Sequence, residues 1–136
     1  MISAVHDAAD GSWSTTLAPV RSVLVRALHP QAPAVTSDVV EVSVVPVLSL
    51  SLVSTSPLRV EGTITPFKRR VTVDVYKLSG PHRHLVVSRR VAVHGGHFSA
   101  RLSLPRRARG RYVVIARSRA DAVTAAGASP PVDVTL

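Results

Sequence analysis

The chain of 136 residues has no cysteine, one tryptophan, two tyrosines and two phenylalanines. Without cysteine, disulfide stapling, thiolate metal sites and cysteine nucleophiles are excluded, while the compartment stays open. Aromatic residues reach only 4%, too few to interleave with cations as the stacking platforms of single-strand nucleic-acid binders do. No apolar run approaches the ~20 residues of a membrane span. No segment sustains a helical period either. The Ala-rich RADAVTAAGAS stretch at 119–129 is the one helix candidate. Flanked by strands and ending in Gly and Pro-Pro, it is expected to be a long loop. The N-terminal MISAVHDAADGS lacks a basic n-region and places Asp7 and Asp10 where an apolar h-region would lie. It is therefore not expected to be a signal peptide, and an exported chain would take its signal from upstream of Met1.

What the chain does have is period-2 alternation. In HFSARLSL, Phe98, Ala100, Leu102 and Leu104 share one face. In RVTVDVYKL, Val71, Val73 and Val75 oppose Thr72, Asp74 and Tyr76, and in LRVEGTIT, Val60, Gly62 and Ile64 oppose Arg59, Glu61, Thr63 and Thr65. Seven strands are expected near 48–54, 58–65, 70–78, 85–93, 97–104, 111–118 and 131–136, joined by short Gly- and Pro-bearing turns. Gly95-Gly96 suits a two-residue primed hairpin turn. Short strands with one apolar face each argue a two-sheet β-sandwich.

The sequence also repeats from its middle. GSWSTTL (11–17) matches GHFSARL (96–102), VLVRA (23–27) matches YVVIA (112–116), and SDVVEVSV (37–44) matches SPPVDVTL (129–136). The first copy thus holds only the last three strands, near 12–17, 21–27 and 37–45. Trp13, Leu17, Val23, Val25, Val40, Val42 and Val44 take its inward positions. Pro46 marks the boundary, giving a C-terminal half-repeat at 1–46 and a complete repeat at 47–136. A half-repeat leaves its apolar face uncovered. Either the reading frame starts inside a repeat, or a second chain or the complete repeat supplies the missing strands.

The net charge of +9 is uneven. Residues 1–54 carry Arg21 and Arg26 against Asp7, Asp10, Asp38 and Glu41; every other Lys and Arg lies later, against Glu61, Asp74, Asp121 and Asp133. The preference for Arg over Lys in an Ala- and Val-rich background is what a GC-rich genome produces unaided. If the strands alternate up and down, the PRRARGR loop shares an end with the His82-Arg83-His84 turn, and Lys68–Arg70 shares the other with His94 and His97. Arg83, Arg106, Arg107, Arg109 and Arg111 are therefore candidate polyanion-binding residues. Phe98 and Tyr112 point inward, leaving Phe67 as the one candidate stacking platform, so nucleic acid is disfavoured as a partner.

No catalytic, cofactor-binding or metal-binding residue is assigned. The histidine pairs flank the expected strand 85–93, about 30 Å apart at ~3.3 Å per residue, and each alone falls short of a closed zinc site. No nucleophile elbow, HExxH or phosphate-binding loop is present. Glu61 and Asp74, on outward positions among Arg and Thr, are read as surface ion-pairing groups.

The pattern VEGTITPFKRRVTVDVY (60–76), VAVHGGHFSARLSL (91–104) and GRYVVIAR (110–117) resembles the tandem Ig-like repeats appended to secreted cell-wall proteins of actinobacteria, among them amidase or peptidoglycan-recognition-type and sporulation-stage lytic proteins. The resemblance implies an Ig-like or fibronectin-III-like sandwich with no activity of its own. It would be an extracellular, wall-associated spacer or tether in a longer chain whose catalytic domain, an N-acetylmuramoyl-L-alanine amidase for example, lies elsewhere. The alternative expectation is a module that binds anionic wall polymer or carbohydrate through the Arg-rich end. No cofactor is implied.

Overall fold

The computed structural model describes residues 12–29 and 35–136; Asp7, Asp10, Gly11 and the segment 30–34 lie outside the described residues. All regular structure among them is β. In the second repeat, β5 (Val47–Thr55), β6 (Leu58–Thr65) and β9 (His97–Leu102) form one antiparallel sheet in the order β5-β6-β9. A second antiparallel sheet contains β7 (Arg70–Ser79), β8 (His82–Ala92) and β10 (Arg111–Ser118), with β7 central to the other two. The free edge of β10 carries β11 (Gly127–Ala128) and β12 (Val132–Thr135) in succession.

Alternation decides the core. From the first sheet, Leu48, Leu58, Val60, Ile64, Phe98, Ala100 and Leu102 point inward and are buried. They meet Val71, Val73, Val75, Val91, Tyr112, Val114, Ala116 and Val134 of the second. Neighbouring strands of the first sheet crowd position 62 closely enough to require glycine there. A Cβ there would lie 2.6 Å from Phe98 Cζ and closer still to the Ser49 carbonyl oxygen. His94 and His97 exchange both backbone hydrogen bonds (2.8 and 3.0 Å) around Gly95-Gly96, whose φ angles of 59° and 78° match the expected primed turn.

The first repeat is a two-stranded ribbon of β1 (Val23–Val25), β2 (Leu28–His29), β3 (Val35–Thr36) and β4 (Val40–Val42). Its register reproduces that of the β10–β12 hairpin. Val23↔Val42, Leu24↔Glu41 and Val25↔Val40 correspond to Tyr112↔Val134, Val113↔Asp133 and Val114↔Val132. Leu28↔Thr36 and His29↔Val35 correspond to Arg117↔Ala128 and Ser118↔Gly127. Between these two ladder segments both hairpins break at a serine. Ala27 N–H donates to Ser37 Oγ (2.7 Å) while Ser37 N–H donates to the Ala27 carbonyl (2.9 Å). Ala116 and Ser129 make the same pair of bonds at 2.9 and 2.8 Å. The serine that leads each closing strand thus replaces a lost ladder contact with its side chain.

Three expectations are corrected. No strand forms at 12–17. The equivalent β9 pairs with β6, whereas no strand among the described residues pairs with 12–17, and Trp13 and Leu17 are 49% and 43% exposed. The strand expected at 85–93 begins at His82, because Gly80, with φ 58°, turns the chain tightly enough for Ser79 to pair with His82. Most consequentially, Asp74 points outward as expected but is fully buried. Arg117 Nη2, Ser88 Oγ (2.6 Å) and Tyr76 Oη (3.4 Å) donate to its carboxylate and close over it. Nor do Glu61 and Asp74 share a surface, since they lie in different sheets.

The paired serines give a stability prediction. Ser129→Ala should lower unfolding free energy by about 1–3 kcal/mol, because the buried Ala116 N–H loses its acceptor. Ser37→Ala, at the exposed equivalent, should change it by less than about 0.5 kcal/mol. Urea unfolding followed by circular dichroism distinguishes the two; equal effects would contradict the assignment.

Candidate functional site

Cations gather in two places on the second repeat. The first is the expected rim. β10 begins beside the end of β7, since Tyr112 pairs with Lys77, and Lys77 in turn pairs with His84. The β9–β10 loop therefore shares an end with the β7–β8 turn. Arg83, Arg106, Arg107, Arg109 and Arg111 are all exposed there. The loop is ordered from within: Tyr112 Oη donates to the Arg109 carbonyl (3.4 Å), Ala108 N–H to the Pro105 carbonyl (2.9 Å), and Arg109 Nη1 to the Ala108 carbonyl (2.8 Å). None of these five arginines has a carboxylate partner among the described residues.

The second cluster was not foreseen. On the outer face of the second sheet, Thr72 of β7 has Arg90 of β8 as its partner on one side and Arg117 of β10 on the other. Arg70 lies one alternation before Thr72, and Arg119 one alternation beyond Arg117. Together with Lys68 they line an open groove of about 650 Å³ at the end of the repeat opposite the rim. Phe67, 59% exposed, stands at its margin. The sequence did place Arg70 and Thr72 on the outward face of one strand. It could not bring in Arg90 and Arg117, because register across β8–β7–β10 is a property of pairing rather than of any one strand.

Beside this groove lies a loop at 119–126, the part of the loop expected at 119–129 that precedes β11, organised by one carboxylate. Asp121 Oδ1 accepts the N–H groups of Val123 and Thr124 (both 2.9 Å), and Oδ2 meets Lys68 Nζ at 2.5 Å. The Lys68 ammonium first, and those backbone N–H groups after it, hold the Asp121 carboxyl well below the usual carboxylate range. The loop in turn joins the two repeats: Ser22 N–H donates to the Val123 carbonyl, and Ala125 N–H to the Val44 carbonyl (2.8 Å). Val44 N–H is held by Ser22 Oγ at 2.9 Å.

The histidine pairs sit at opposite ends of β8, and the described residues contain no group of three His, Cys, Asp or Glu placed to hold a metal ion. A second groove lies between the outer face of the first sheet, which supplies Ser51, Ser99 and Glu61, and β8, which supplies Arg89 and Arg90; in it Ser49 and Thr63 are hydrogen-bonded to each other at 2.6 Å. No described helix is long and apolar enough to cross a membrane. No protein family, curated protein or solved structure matches the chain.

Because the folded-state pKa of Asp121 is depressed, its contribution to the loop is fully present above the unfolded carboxylate value, about 3.9, and is lost as pH falls through the folded value. The Val123 and Thr124 amide shifts should therefore be constant from about pH 5 to 8 and move only in stronger acid. In Lys68→Met the midpoint of that change should rise toward the ordinary carboxylate range. An NMR pH titration checks this; coincident midpoints would show that Lys68 is not the cause.

Proposed function

We propose that this chain is a non-catalytic Ig-like repeat unit serving as a spacer or tether within a larger wall-associated extracellular protein. The observation that carries the reading is the joint between the repeats. Backbone hydrogen bonds from Ser22 and to Val44 seat the end of the first repeat directly on the 119–126 loop of the second. Repeats joined by backbone contacts without an intervening linker hold a fixed spacing, as a spacer requires. The Ig-like assignment is supported by the strand order: β8 pairs with β7, leaving three strands, β5-β6-β9, in the facing sheet, an arrangement of the fibronectin-III-like type. It is supported further by Tyr112, whose hydroxyl reaches back to the Arg109 carbonyl at the start of the sixth strand, as a tyrosine corner does. The extracellular, cell-wall setting rests on the sequence resemblance.

A second reading, a binding module for anionic wall polymer, is favoured by the convergence of Arg83, Arg106, Arg107, Arg109 and Arg111 at one end, exposed and without acidic partners. Binding through that rim would fall steeply with salt.

Residual dipolar couplings on the full chain test the spacer. Residues 22–44 and 47–136 should fit one alignment tensor, and independent tensors would remove the rigid joint. Release of muropeptides from purified wall by this chain would overturn the non-catalytic reading. For the rim, co-sedimentation with purified wall should be salt-sensitive and abolished when Arg106, Arg107, Arg109 and Arg111 are all replaced by Ser. Undiminished sedimentation of that variant excludes the rim.

A further inference from the structure

We infer that the outer face of the second sheet, rather than the rim, is a binding site for a linear polyanion of phosphate chemistry, with Arg70, Arg90, Arg117 and Arg119 disposed around the Thr72 hydroxyl. The inference does not rest on the spacer reading, and it assigns the anion site to a different surface from the one the sequence singled out.

Like charge is concentrated on this face without matching carboxylates. Like charges on neighbouring strands of one sheet face repel and destabilise the pairing. Yet Arg70 and Arg90 are diagonal neighbours on β7 and β8, and Arg117 stands one strand further across, on the other side of Thr72. Arg70 and Arg119 extend the cluster along β7 and beyond the end of β10. Among the described residues two carboxylates adjoin these arginines on this face and both are committed, while Glu61 lines the neighbouring groove with Arg90 without an ion pair to it. Asp121 is bonded to Lys68, and the fully buried Asp74 to Arg117. Arg70, Arg90 and Arg119 have no side-chain hydrogen bond or ion pair among the described residues. The face therefore holds a surplus of positive charge that the protein itself does not neutralise.

The cluster is also better built than the rim. Three of its four arginines, Arg70, Arg90 and Arg117, stand on paired strands, with spacings set by the sheet. Neighbours across strands lie about 4.8 Å apart and neighbours along a strand about 6.6 Å apart. The rim arginines stand mostly on a loop. Arg117 is oriented from beneath by Asp74, which also accepts from Ser88 and Tyr76. The guanidinium is thus held at the surface, its side chain about half exposed, with further N–H donors. Guanidinium groups pair bidentately with phosphate oxygens, and a hydroxyl such as that of Thr72 adds a further donor. An open groove with cations spread along two directions suits a chain of phosphates better than a single ion.

At the position equivalent to Arg117 the first repeat has Leu28, so the hairpin frame recurs there without that cation.

The test is calorimetric titration of the full chain with a short linear inorganic polyphosphate and, separately, with orthophosphate, at low and at physiological salt. Arg90→Gln combined with Arg119→Gln removes two exposed side chains without intramolecular partners, so the fold should be retained, as thermal unfolding verifies. This variant should lose about tenfold or more in polyphosphate affinity, with the slope of log affinity against log salt reduced by about one to two. The variant with Arg106, Arg107, Arg109 and Arg111 all replaced by Ser loses twice as many charges but should bind within about twofold of the parent. Diffuse electrostatics predicts the opposite ranking. The inference is overturned if the parent does not bind polyphosphate at low salt, if the double variant binds as the parent does, or if the four-serine variant loses as much. Orthophosphate binding as tightly as the chain overturns the polymeric ligand. The same two variants separate this site from the rim in wall co-sedimentation.

Discussion

Everything in this structure depends on β10 being paired along both edges. On one side it meets β7 from Tyr112 to Arg117; on the other it meets β12 and then β11. A strand so held has its register fixed twice, and a one-residue slip would turn Val114 and Ala116 out of the core and Val113 and Ile115 into it. The first repeat isolates the half of this constraint that a hairpin can satisfy alone. β1 and β4 keep the equivalent register, and Ser37 repeats the hydrogen bonds of Ser129. Without a β7 on the other edge and a facing sheet, that register buries little. Leu24 and Val40 remain 72% and 59% exposed. Hydrogen bonding sets the geometry of the repeat, and the facing sheet supplies the burial that stabilises it.

The same distinction explains what could be read from the sequence. Local features were legible because their causes are local. Alternation in RVTVDVYKL assigns inward valines at three alternate positions of one strand, 71, 73 and 75, and Gly95-Gly96 specifies its turn by backbone freedom alone. The repeat was legible because serine at 37 and at 129 does the same backbone task in each copy. Features that depend on a partner strand were not. Residues 12–17 carry as good an alternating pattern as 97–102, yet only the latter has a β6 to pair with. Asp74 has the outward parity of a surface carboxylate, and its burial arises from Ser88 and Arg117 on two other strands.

Charge behaves likewise. PRRARGR is conspicuous in one dimension because its arginines are consecutive, and the structure leaves them exposed on a loop. The denser arrangement, Arg90–Thr72–Arg117, joins residues far apart in the chain and arises only when three strands align. Sequence clustering and spatial clustering thus select different surfaces. Field strength and ligand geometry follow the spatial one.

Position adds a further step. The basic face ends at the 119–126 loop, which also carries the joint between the repeats. Lys68 belongs to both, lining the groove while its ammonium holds Asp121 and the Arg119 carbonyl. Lys68 is thus the poorest candidate for contacting an anion. Its charge is already met by Asp121, and its side chain is only 11% exposed. Arg119, by contrast, gives up its carbonyl to Lys68 and keeps its guanidinium free, so the bond that orders the loop also anchors the backbone from which a groove cation projects. One lysine–aspartate pair therefore supports two surfaces, with Val123 facing the first repeat and Arg119 facing the groove. The order of the joint and the placement of that cation have a common origin, and a loop loosened at Asp121 would lose both together.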